Sequence, residues 1–495
     1  MKKEKQQLAP EQKKKRLQKS LIIAGAIVMA FVIVIVSLIG AAVAASKRDD
    51  TVANGTLSML GNLLCSKNSI QYQTFENEGR YADEGTYHVE NFRVSMSAMN
   101  HWEDGTDYAT YDYTYTDEHG HNASTLKGLQ EMFNYYGATE MYVRINTTRY
   151  YPTDTTLKDY YHIRMHCLEE SLKACAVAKQ ISDERGEVLP INVELGVFEG
   201  YSDAFESQYP VFDEYPELDG VYPKDANGKR KAWDTMSLDE ICAVLRAYGT
   251  LVANEIKATG ATVEIWDLGN ETNYGFGGVM LPLKSAVSKA TSKQFWVTYL
   301  KSGFGVDWLA KNVWCYNAKM FAALKEGILE VYPTAKFSSH ISTVTVGEEY
   351  VVKYFKTLAE NGYEVDQAGI SFYPNATSVM PDKIAQIKKI VLAVNRELGK
   401  NVMLAEYGYA NESGLASGTF SSWNNKVHGY ELTDDDGAKF LKQLISWGKE
   451  NGMAGIRPWA PELDWANPWF NFDKEHKTAE AKQLLFDALK EATEH

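Results

Sequence analysis

The regular recurrence of short apolar runs constrains this chain more than any other feature of its sequence. From residue 91 onward, eight runs rich in apolar and β-branched residues are separated by longer stretches. The runs are 92–96, 140–145, 191–197, 262–268, 336–341, 367–372, 401–405 and 453–459. Stretches with helical spacing lie between them, at 238–257, 317–331, 381–398 and 434–449. Each can return the chain to a parallel strand, so the pattern predicts an α/β fold, a (β/α)8 TIM barrel with enlarged loops.

A doubly wound α/β sheet is the structural alternative. Such a sheet usually carries a glycine-rich phosphate-binding turn, GxGxxG, directly after its first strand. The chain contains no GxGxxG spacing, and its glycine cluster at 275–278 follows the fourth run. We therefore interpret that cluster as a flexible loop and favour the barrel.

The charge distribution excludes one class of partner. The formal net charge is −14, but residues 1–19 contain eight Lys and Arg against two Glu, which leaves about −20 on the remainder. An acidic body of this kind repels phosphate backbones, so we expect no nucleic-acid partner.

The five cysteines indicate neither a disulfide framework nor a zinc site. They show no CxxC or metal-ligand spacing, and an odd number cannot all pair within one chain. They are Cys65, Cys167, Cys175, Cys242 and Cys315. We expect a monomer that needs no metal and no cofactor.

The N-terminal region divides into three segments before the barrel. Residues 1–20 are basic and are predicted to be cytoplasmic, and residues 21–46 are an uncharged apolar stretch long enough to cross a bilayer as a helix. This stretch is a transmembrane anchor or, since small residues at its end resemble a cleavage site, a signal sequence. We favour the anchor. Residues 47–90 are polar and are predicted to form a tether and covering segment, and residues 91–495 are predicted to form the (β/α)8 barrel.

Two glutamates follow predicted strands at positions where barrel enzymes place their reacting groups. Glu271 follows the fourth run and Glu406 follows the seventh. In a barrel, the carboxyl ends of all strands meet at one face, so the two carboxyl groups can face each other across its mouth. Retaining glycosidases hold such a pair about 5–5.5 Å apart, one as acid and base, the other as nucleophile. An isolated Glu more often caps a helix or forms a surface ion pair.

The neighbours of both glutamates resemble a large clan of retaining (β/α)8 glycosidases, in which Asn-Glu ends strand 4 and Glu ends strand 7. Within that clan the chain is most similar to the arabinogalactan endo-β-1,4-galactanase family. The similarity covers most of the barrel and rests on Ala232-Trp233, Ser237-Leu238, Gly260-Ala261-Thr262, Gly269-Asn270-Glu271, Asn273, Gly275, Ser371-Phe372-Tyr373-Pro374 and Ala405-Glu406-Tyr407-Gly408-Tyr409.

This resemblance implies a role for each matching residue at the reacting centre. Glu271 would be the general acid and base, and Glu406 the nucleophile. Asn270 would hold the sugar 2-hydroxyl, and Arg144, at the end of the second run, would stabilise the ionised form of Glu406. The more desolvated Glu271 would then have the raised pKa.

The same resemblance implies three further substrate-binding residues. Tyr373 would hydrogen-bond the nucleophile, His340 would line the adjoining subsite, and Trp459 would support the apolar face of the sugar. Each also has a structural alternative, as a core residue or as a partner of barrel carboxylates. Trp465 and Trp469 are candidates for further sugar platforms.

Two departures from the family pattern limit the prediction of the substrate. The family usually has a His before Tyr-Ser-Asp after strand 3, whereas Gly200 occupies that place here. Its Arg-Leu-Arg-Val-Trp after strand 2 is reduced to residues 144–148, Arg-Ile-Asn-Thr-Thr. We therefore predict an extracellular retaining glycoside hydrolase acting on a β-linked polysaccharide, most closely an endo-β-1,4-galactanase. A mannan- or xylan-type β-glycanase and a cell-surface sugar-binding protein of weak activity remain alternatives.

The N-terminal segment makes a prediction about location. If residues 21–46 are an anchor, cell fractionation should find the full-length chain in membranes, with the barrel open to protease added to intact cells. Activity recovered from the culture medium, with a new N-terminus near Ser46, would show instead that the segment is a cleaved signal.

Overall fold

The computed structural model describes the chain from residue 72 onward, with gaps. The described residues are 72–76, 89, 91–98, 113–152, 154, 156, 163, 165–200, 202–204, 206, 208–302, 305–377, 379–410, 423–463 and 468–494. The predicted cytoplasmic segment 1–20 and the apolar segment 21–46 therefore lie outside the described residues. Within the described residues, no helix combines the length and apolar character that a membrane span requires.

Eight parallel strands in the described residues form a closed barrel. They are β1 (Arg93–Val94), β2 (Met141–Ile145), β3 (Ile191–Leu195), β4 (Val263–Leu268), β5 (Phe337–Ser342), β6 (Gln367–Phe372), β7 (Asn401–Tyr407) and β8 (Met453–Pro458). Sheet order runs from β1 through β8 and back down to β2. A parallel bridge between Ser95 and Glu140 then joins β1 to the start of β2 and closes the ring.

A helix follows each barrel strand and covers the outside of the ring. These helices are α1 (Leu126–Tyr135), α2 (Leu168–Arg185), α3 (Leu238–Thr259), α4 (Cys315–Val331), α5 (Glu348–Glu360), α6 (Lys383–Leu398), α7 (Asp434–Glu450) and α8 (Gln483–Glu494). Local signals set their ends: at α3, Ser237 and Glu240 form a reciprocal capping box, and Gly260 ends the helix in the left-handed conformation.

The predicted barrel is confirmed, strand by strand. Each of the eight apolar runs coincides with a barrel strand to within two residues at either end, and the four predicted helical stretches correspond to α3, α4, α6 and α7. Segment 72–76, within the predicted tether and covering segment, packs on the barrel exterior. The Phe75 ring lies 5.3 Å from that of Phe440 on α7, and the Gln73 backbone N–H donates to Asp382.

Two connections on the catalytic face carry an additional small sheet. Its strands are Thr114–Thr116 and Asn122–Ala123, between β1 and α1, and Phe470–Asp473 and Thr478–Ala481, between β8 and α8. Strand Thr478–Ala481 pairs with Thr114–Thr116, so this sheet joins the connections that follow the neighbouring strands β1 and β8. Tyr115 and Phe470 pack edge to face within this sheet.

The connection between β4 and α4 is the most elaborate. It contains a 3-10 turn (Thr272–Tyr274), a two-stranded hairpin (Gly275–Phe276 and Val279–Met280), a helix at Ser292–Ser302, a short helix at Val306–Leu309 and a π-helical turn at Ala310–Trp314. We call the helix Ser292–Ser302 the rim helix, because a connection leaving the carboxyl end of a barrel strand lies at the rim of the catalytic face.

Candidate active site

The two predicted catalytic glutamates lie at the carboxyl ends of their strands and are both buried. Glu406 is the penultimate residue of β7, and Glu271 is three residues beyond the end of β4. Their exposed fractions are 5% and 7%. Glu406 is among the charges that raise the pKa of Glu271, so the two carboxyl groups interact across the barrel mouth.

Glu271 has a backbone conformation that few non-glycine residues adopt. Its φ of 43° and ψ of 53° lie in the left-handed region, which disfavours residues with a Cβ atom. The next two residues hold it there. Asn273 exchanges two hydrogen bonds with the backbone of Ser342, at 2.7 and 2.9 Å, and the Thr272 hydroxyl donates to the carbonyl of His340. The strained turn aims the Glu271 side chain inward.

Two donors hold the carboxylate of Glu406. Arg144 Nη2 donates to Oε1 at 2.8 Å, and the Tyr373 hydroxyl donates to Oε2 at 2.9 Å. Both oxygens are therefore satisfied in the ionised form, which is the form required of a nucleophile. Arg144, Tyr373 and Glu406 lie together as the sequence predicts.

A second buried carboxylate supports Arg144 from below. Glu194 Oε1 lies 2.7 Å from Arg144 Nε, and Glu194 Oε2 accepts from Tyr142 at 2.9 Å and from Arg457 at 3.0 Å. The Arg457 guanidinium stacks 4.1 Å from the centre of the Tyr142 ring. The strand register places Arg144 beside Glu194 on neighbouring strands, so these groups form one layer of the barrel interior.

Asn270 joins this layer to the catalytic turn. Its side-chain oxygen accepts from Arg144 Nη2 and faces His340 Nε2, both at 3.0 Å, while its amide nitrogen donates to the carbonyl of Ser202. The backbone carbonyl of Asn270 accepts from Gln208 at 2.8 Å. The amide is thus fixed in one orientation directly beside Glu271.

His340 differs from its predicted position at the substrate surface. Its side chain is completely buried, with Nδ1 2.9 Å from Asp267 and Nε2 directed at Asn270. Gly369, its neighbour on β6, leaves the required space, since a Cβ there would lie 2.6 Å from the Cβ of His340. In this geometry His340 positions Asn270 and lines no open subsite.

The surroundings of three buried titratable groups shift their pKa values away from the ordinary ones. Burial, reinforced by the charges of Glu406 and Asp203, raises the pKa of Glu271 to about 8. Burial alone would lower the pKa of His340, but Asp267 and other nearby carboxylates outweigh it and raise that pKa to about 9. Burial would raise the pKa of Asp267, yet His340 and Arg457 lower it. At neutral pH Glu271 is therefore protonated, and His340 is an imidazolium that donates to Asp267 and Asn270.

The predicted sugar platform lies at the mouth of the barrel. Trp459 directly follows β8 and is half-buried, and its backbone N–H donates to Tyr407 at 2.9 Å. It belongs to a small apolar cluster, separate from the main core, that includes Tyr142, Tyr373 and Trp423. Trp469, by contrast, is a core residue, 3% exposed and packed against Phe486, so its interpretation as a sugar platform was wrong. Trp465 lies outside the described residues.

The segment after β3 that departs from the family pattern at Gly200 contacts Glu271 directly. Ser202 is the residue that accepts from Asn270, and the backbone N–H of Ala204 donates to Glu271 Oε2 at 3.3 Å. Asp203 contributes to the raised pKa of Glu271. The loop after β3 is therefore part of the environment of Glu271.

One group of side chains has the composition of a metal site. Among the described residues, Glu194, His340 and Glu406 offer ligand atoms within 4.8 Å of one another. Arg144 contacts both glutamates, Arg457 contacts Glu194, and His340 is engaged by Asp267 and Asn270. Two guanidinium groups already neutralise the carboxylates, so this arrangement is an ion-pair network.

Glu194, Asp267 and Arg457 were missed by the sequence analysis. A signal for them was present, because each charged residue interrupts an otherwise apolar strand. Helices cover the outside of the barrel, so a charged residue within such a strand must face the interior. Their partners, however, could not be read from strand patterns.

Comparisons with known proteins agree with this geometry. Residues 224–494 match the family described as glycosyl hydrolase family 53. Among solved structures, one from a study of two fungal β-1,4-galactanases is 13% identical, with a TM-score of 0.54, and the match covers 80% of this chain and 99% of that one. The family 53 catalytic domain of Ignisphaera aggregans is 16% identical, with a TM-score of 0.54, covering 82% and 96%.

At these identities the two structures support the barrel fold alone, whereas the family match supports membership of the family. The family resemblance predicted from the strand-end motifs is confirmed. Since the match extends over more than half of the sequence, this chain is a glycoside hydrolase and belongs to glycosyl hydrolase family 53.

Proposed function

We propose that this protein is a retaining endo-β-1,4-galactanase in which Glu271 is the acid and base and Glu406 is the nucleophile. The observation that carries the proposal is that two buried carboxyl groups have different hydrogen-bonding and electrostatic surroundings. Glu406 accepts hydrogen bonds from Arg144 and Tyr373, whereas burial and neighbouring carboxylates raise the pKa of Glu271 to about 8. Two donors to the carboxylate oxygens suit Glu406 to act as a nucleophile, whereas the raised pKa of Glu271 suits it to donate a proton, and double displacement requires both roles.

The reaction proceeds in two steps. Glu406 attacks the anomeric carbon while Glu271 donates its proton to the departing glycosidic oxygen, and a covalent glycosyl-enzyme forms. Glu271, now ionised, takes a proton from water as that water attacks the same carbon and releases Glu406. The two inversions give net retention, and Glu271 regains its proton.

Asn270 and Trp459 supply the binding energy that favours the transition state. The Asn270 amide is fixed by Arg144, His340 and Ser202, so it meets a sugar hydroxyl without reorganisation. Trp459 offers an apolar surface on which the C–H face of a sugar can stack.

The choice of galactan rests on the family and on the fungal β-1,4-galactanase that shares the fold. A mannan- or xylan-type β-glycanase is the alternative, because the wall after β3 departs from the family pattern. A sugar-binding protein of weak activity is less well supported, since binding alone does not require two buried carboxyl groups with such different surroundings.

We also propose that the barrel acts as a monomer outside the cell, held at the membrane or secreted. Support comes from the sequence, in which a basic flank precedes the uncharged stretch 21–46. A polysaccharide too large to enter a cell would meet the enzyme there.

The first prediction concerns the substrate and the stereochemistry. The protein should release oligosaccharides from soluble β-1,4-galactan much faster than from mannan or xylan, and NMR should show the β-anomer as the initial product. Initial α-anomer would contradict double displacement, and preference for mannan or xylan would support the alternative β-glycanase.

The second prediction assigns the two roles. Glu271→Ala and Glu406→Ala should each lower kcat on galactan by a factor on the order of 10³ or more. With azide and a nitrophenyl β-galactobioside, Glu271→Ala should yield the β-glycosyl azide, because azide attacks the covalent intermediate. Glu406→Ala should yield the α-glycosyl azide, because azide replaces the missing nucleophile. Glu187→Ala, a change at an exposed glutamate, is the control, and exchanged anomers would reverse the assignment.

The third prediction concerns stability. The pKa of Glu271 is about 8 in the folded protein against an ordinary 4.5, so between these values the folded state holds a proton that the unfolded state has released. The free energy of unfolding therefore falls as the pH rises through this window. Glu271→Gln removes the loss, and the variant should exceed the wild type by on the order of 2–4 kcal/mol at pH 9.

Thermal unfolding measured across this pH range tests the sign. The two proteins should converge below the ordinary pKa of glutamate, where Glu271 is neutral in both states. Glu187→Gln should follow the wild type throughout. An equal pH dependence of Glu271→Gln and wild type would show that Glu271 has no raised pKa.

A further inference from the structure

The stretch 272–319, which runs from the turn after Glu271 into the first turns of α4, has a charge opposite to the net charge of the whole chain. Residues 272–319 contain six lysines and one acidic residue, Asp307. The lysines are Lys284, Lys289, Lys293, Lys301, Lys311 and Lys319. The two basic stretches, 1–19 and 272–319, carry +6 and +5, so the remainder of the chain carries about −25. This stretch is thus basic, whereas the chain as a whole is acidic.

These lysines are exposed and available. All six side chains are exposed to solvent, and within the described part of the chain none of them forms an ion pair with a carboxylate. Asp307 lies 3.3 Å from Lys353 of α5, so it does not neutralise them. Their positive charge faces solvent.

The rim helix adds an apolar face to this charge. Its inner side is anchored by Phe295, which is buried and packs 5.5 Å from the ring of Tyr274 and 5.9 Å from that of Trp308. Its outer side carries Trp296, Val297 and Leu300, exposed by 42%, 45% and 45%. Large apolar side chains grouped on a surface usually mark a binding site.

Helical spacing places two of the lysines beside these apolar residues. Lys293 precedes Trp296 and Val297 by three and four residues, and Lys301 follows Val297 by four, so all lie on one face of the helix. An aromatic ring flanked by ammonium groups suits a sugar that bears negative charge, because the ring stacks on the C–H face while the ammonium groups pair with carboxylates.

We propose that the rim helix and its lysines bind a carboxylate-bearing polysaccharide, outside the catalytic cleft. The polysaccharide is favoured by continuity with the active site: Tyr274, on which the rim helix packs, is three residues from Glu271. A chain held at this rim is held next to the cleft. Charge complementarity favours a polyanion at this position, because residues 272–319 are basic while the chain as a whole is acidic and repels polyanions. The role of this site in hydrolysis rests on the proposed function, whereas the binding test does not depend on that function.

The test compares two triple variants of the full-length protein. We call the patch the surface formed by Lys293, Lys301 and the exposed apolar residues of the rim helix, with Lys289 three residues before that helix. Lys289→Gln, Lys293→Gln and Lys301→Gln together remove three charges from the patch. Lys179→Gln, Lys336→Gln and Lys356→Gln remove three charges elsewhere, from lysines that are ion-paired on the outer helices or at the start of β5. The two proteins have the same net charge, so a difference between them reports on the patch. Trp296→Ala tests the aromatic contribution.

Binding to polygalacturonate should weaken by about tenfold or more in the patch variant and in Trp296→Ala, and should stay unchanged in the control variant. Wild-type binding should weaken as salt is added, because exposed charges are screened. Turnover of a nitrophenyl β-galactobioside should be the same in all four proteins, since this small substrate does not reach the rim. Absence of this turnover in every protein would contradict the proposed function while leaving the binding comparison intact.

Three results would overturn the inference. Equal binding of polygalacturonate by the wild type and the patch variant would show that the patch does not bind it. Equal weakening in both triple variants would show an effect of net charge. Weaker binding of the patch variant than of the control variant to phosphatidylglycerol vesicles, with no such difference on polygalacturonate, would assign the face to a membrane instead.

Discussion

The active site depends on one buried ion pair, between Arg144 and Glu406, and on the carboxylate of Glu194 that fixes the arginine. A buried guanidinium is costly unless charges and hydrogen bonds surround it. Here Arg144 contacts Glu194 on one side and Glu406 and Asn270 on the other. Its position therefore sets the positions of the proposed nucleophile and of the amide that would hold the sugar.

The charged groups of this interior layer balance one another, and Glu271 is not part of that balance. Arg144, Arg457 and the imidazolium of His340 face Glu194, Asp267 and Glu406, so three positive groups meet three negative ones. Glu271 enters from a strained turn above the layer, where burial and the neighbouring carboxylates favour its protonated form. A balanced layer below a protonated acid is the arrangement in which one carboxyl group can donate while the other attacks.

Sequence reasoning succeeded where the signal was local. Strand and helix periodicities placed all eight barrel strands, and the neighbours of Glu271 and Glu406 led to the correct family. It failed where a residue type fits two surroundings. His340 at the end of a strand suits a substrate contact as well as a buried hydrogen bond, and the structure shows the latter. Trp469 suits a sugar platform as well as a core, and the adjoining small sheet and α8 bury it.

The sequence by itself determined the barrel and the strand ends that carry the two glutamates, because the alternation of strands and helices follows from the apolar spacing of residues that are close in sequence. Only the tertiary structure decided which inward side chains pair, since the partners are remote in sequence: Arg144 and Glu406 are 262 residues apart, and Glu194 and Arg457 are 263 apart. It also decided the protonation of Glu271. A pKa follows from burial and from charges brought near by folding, and neither exists until the strands close into a ring.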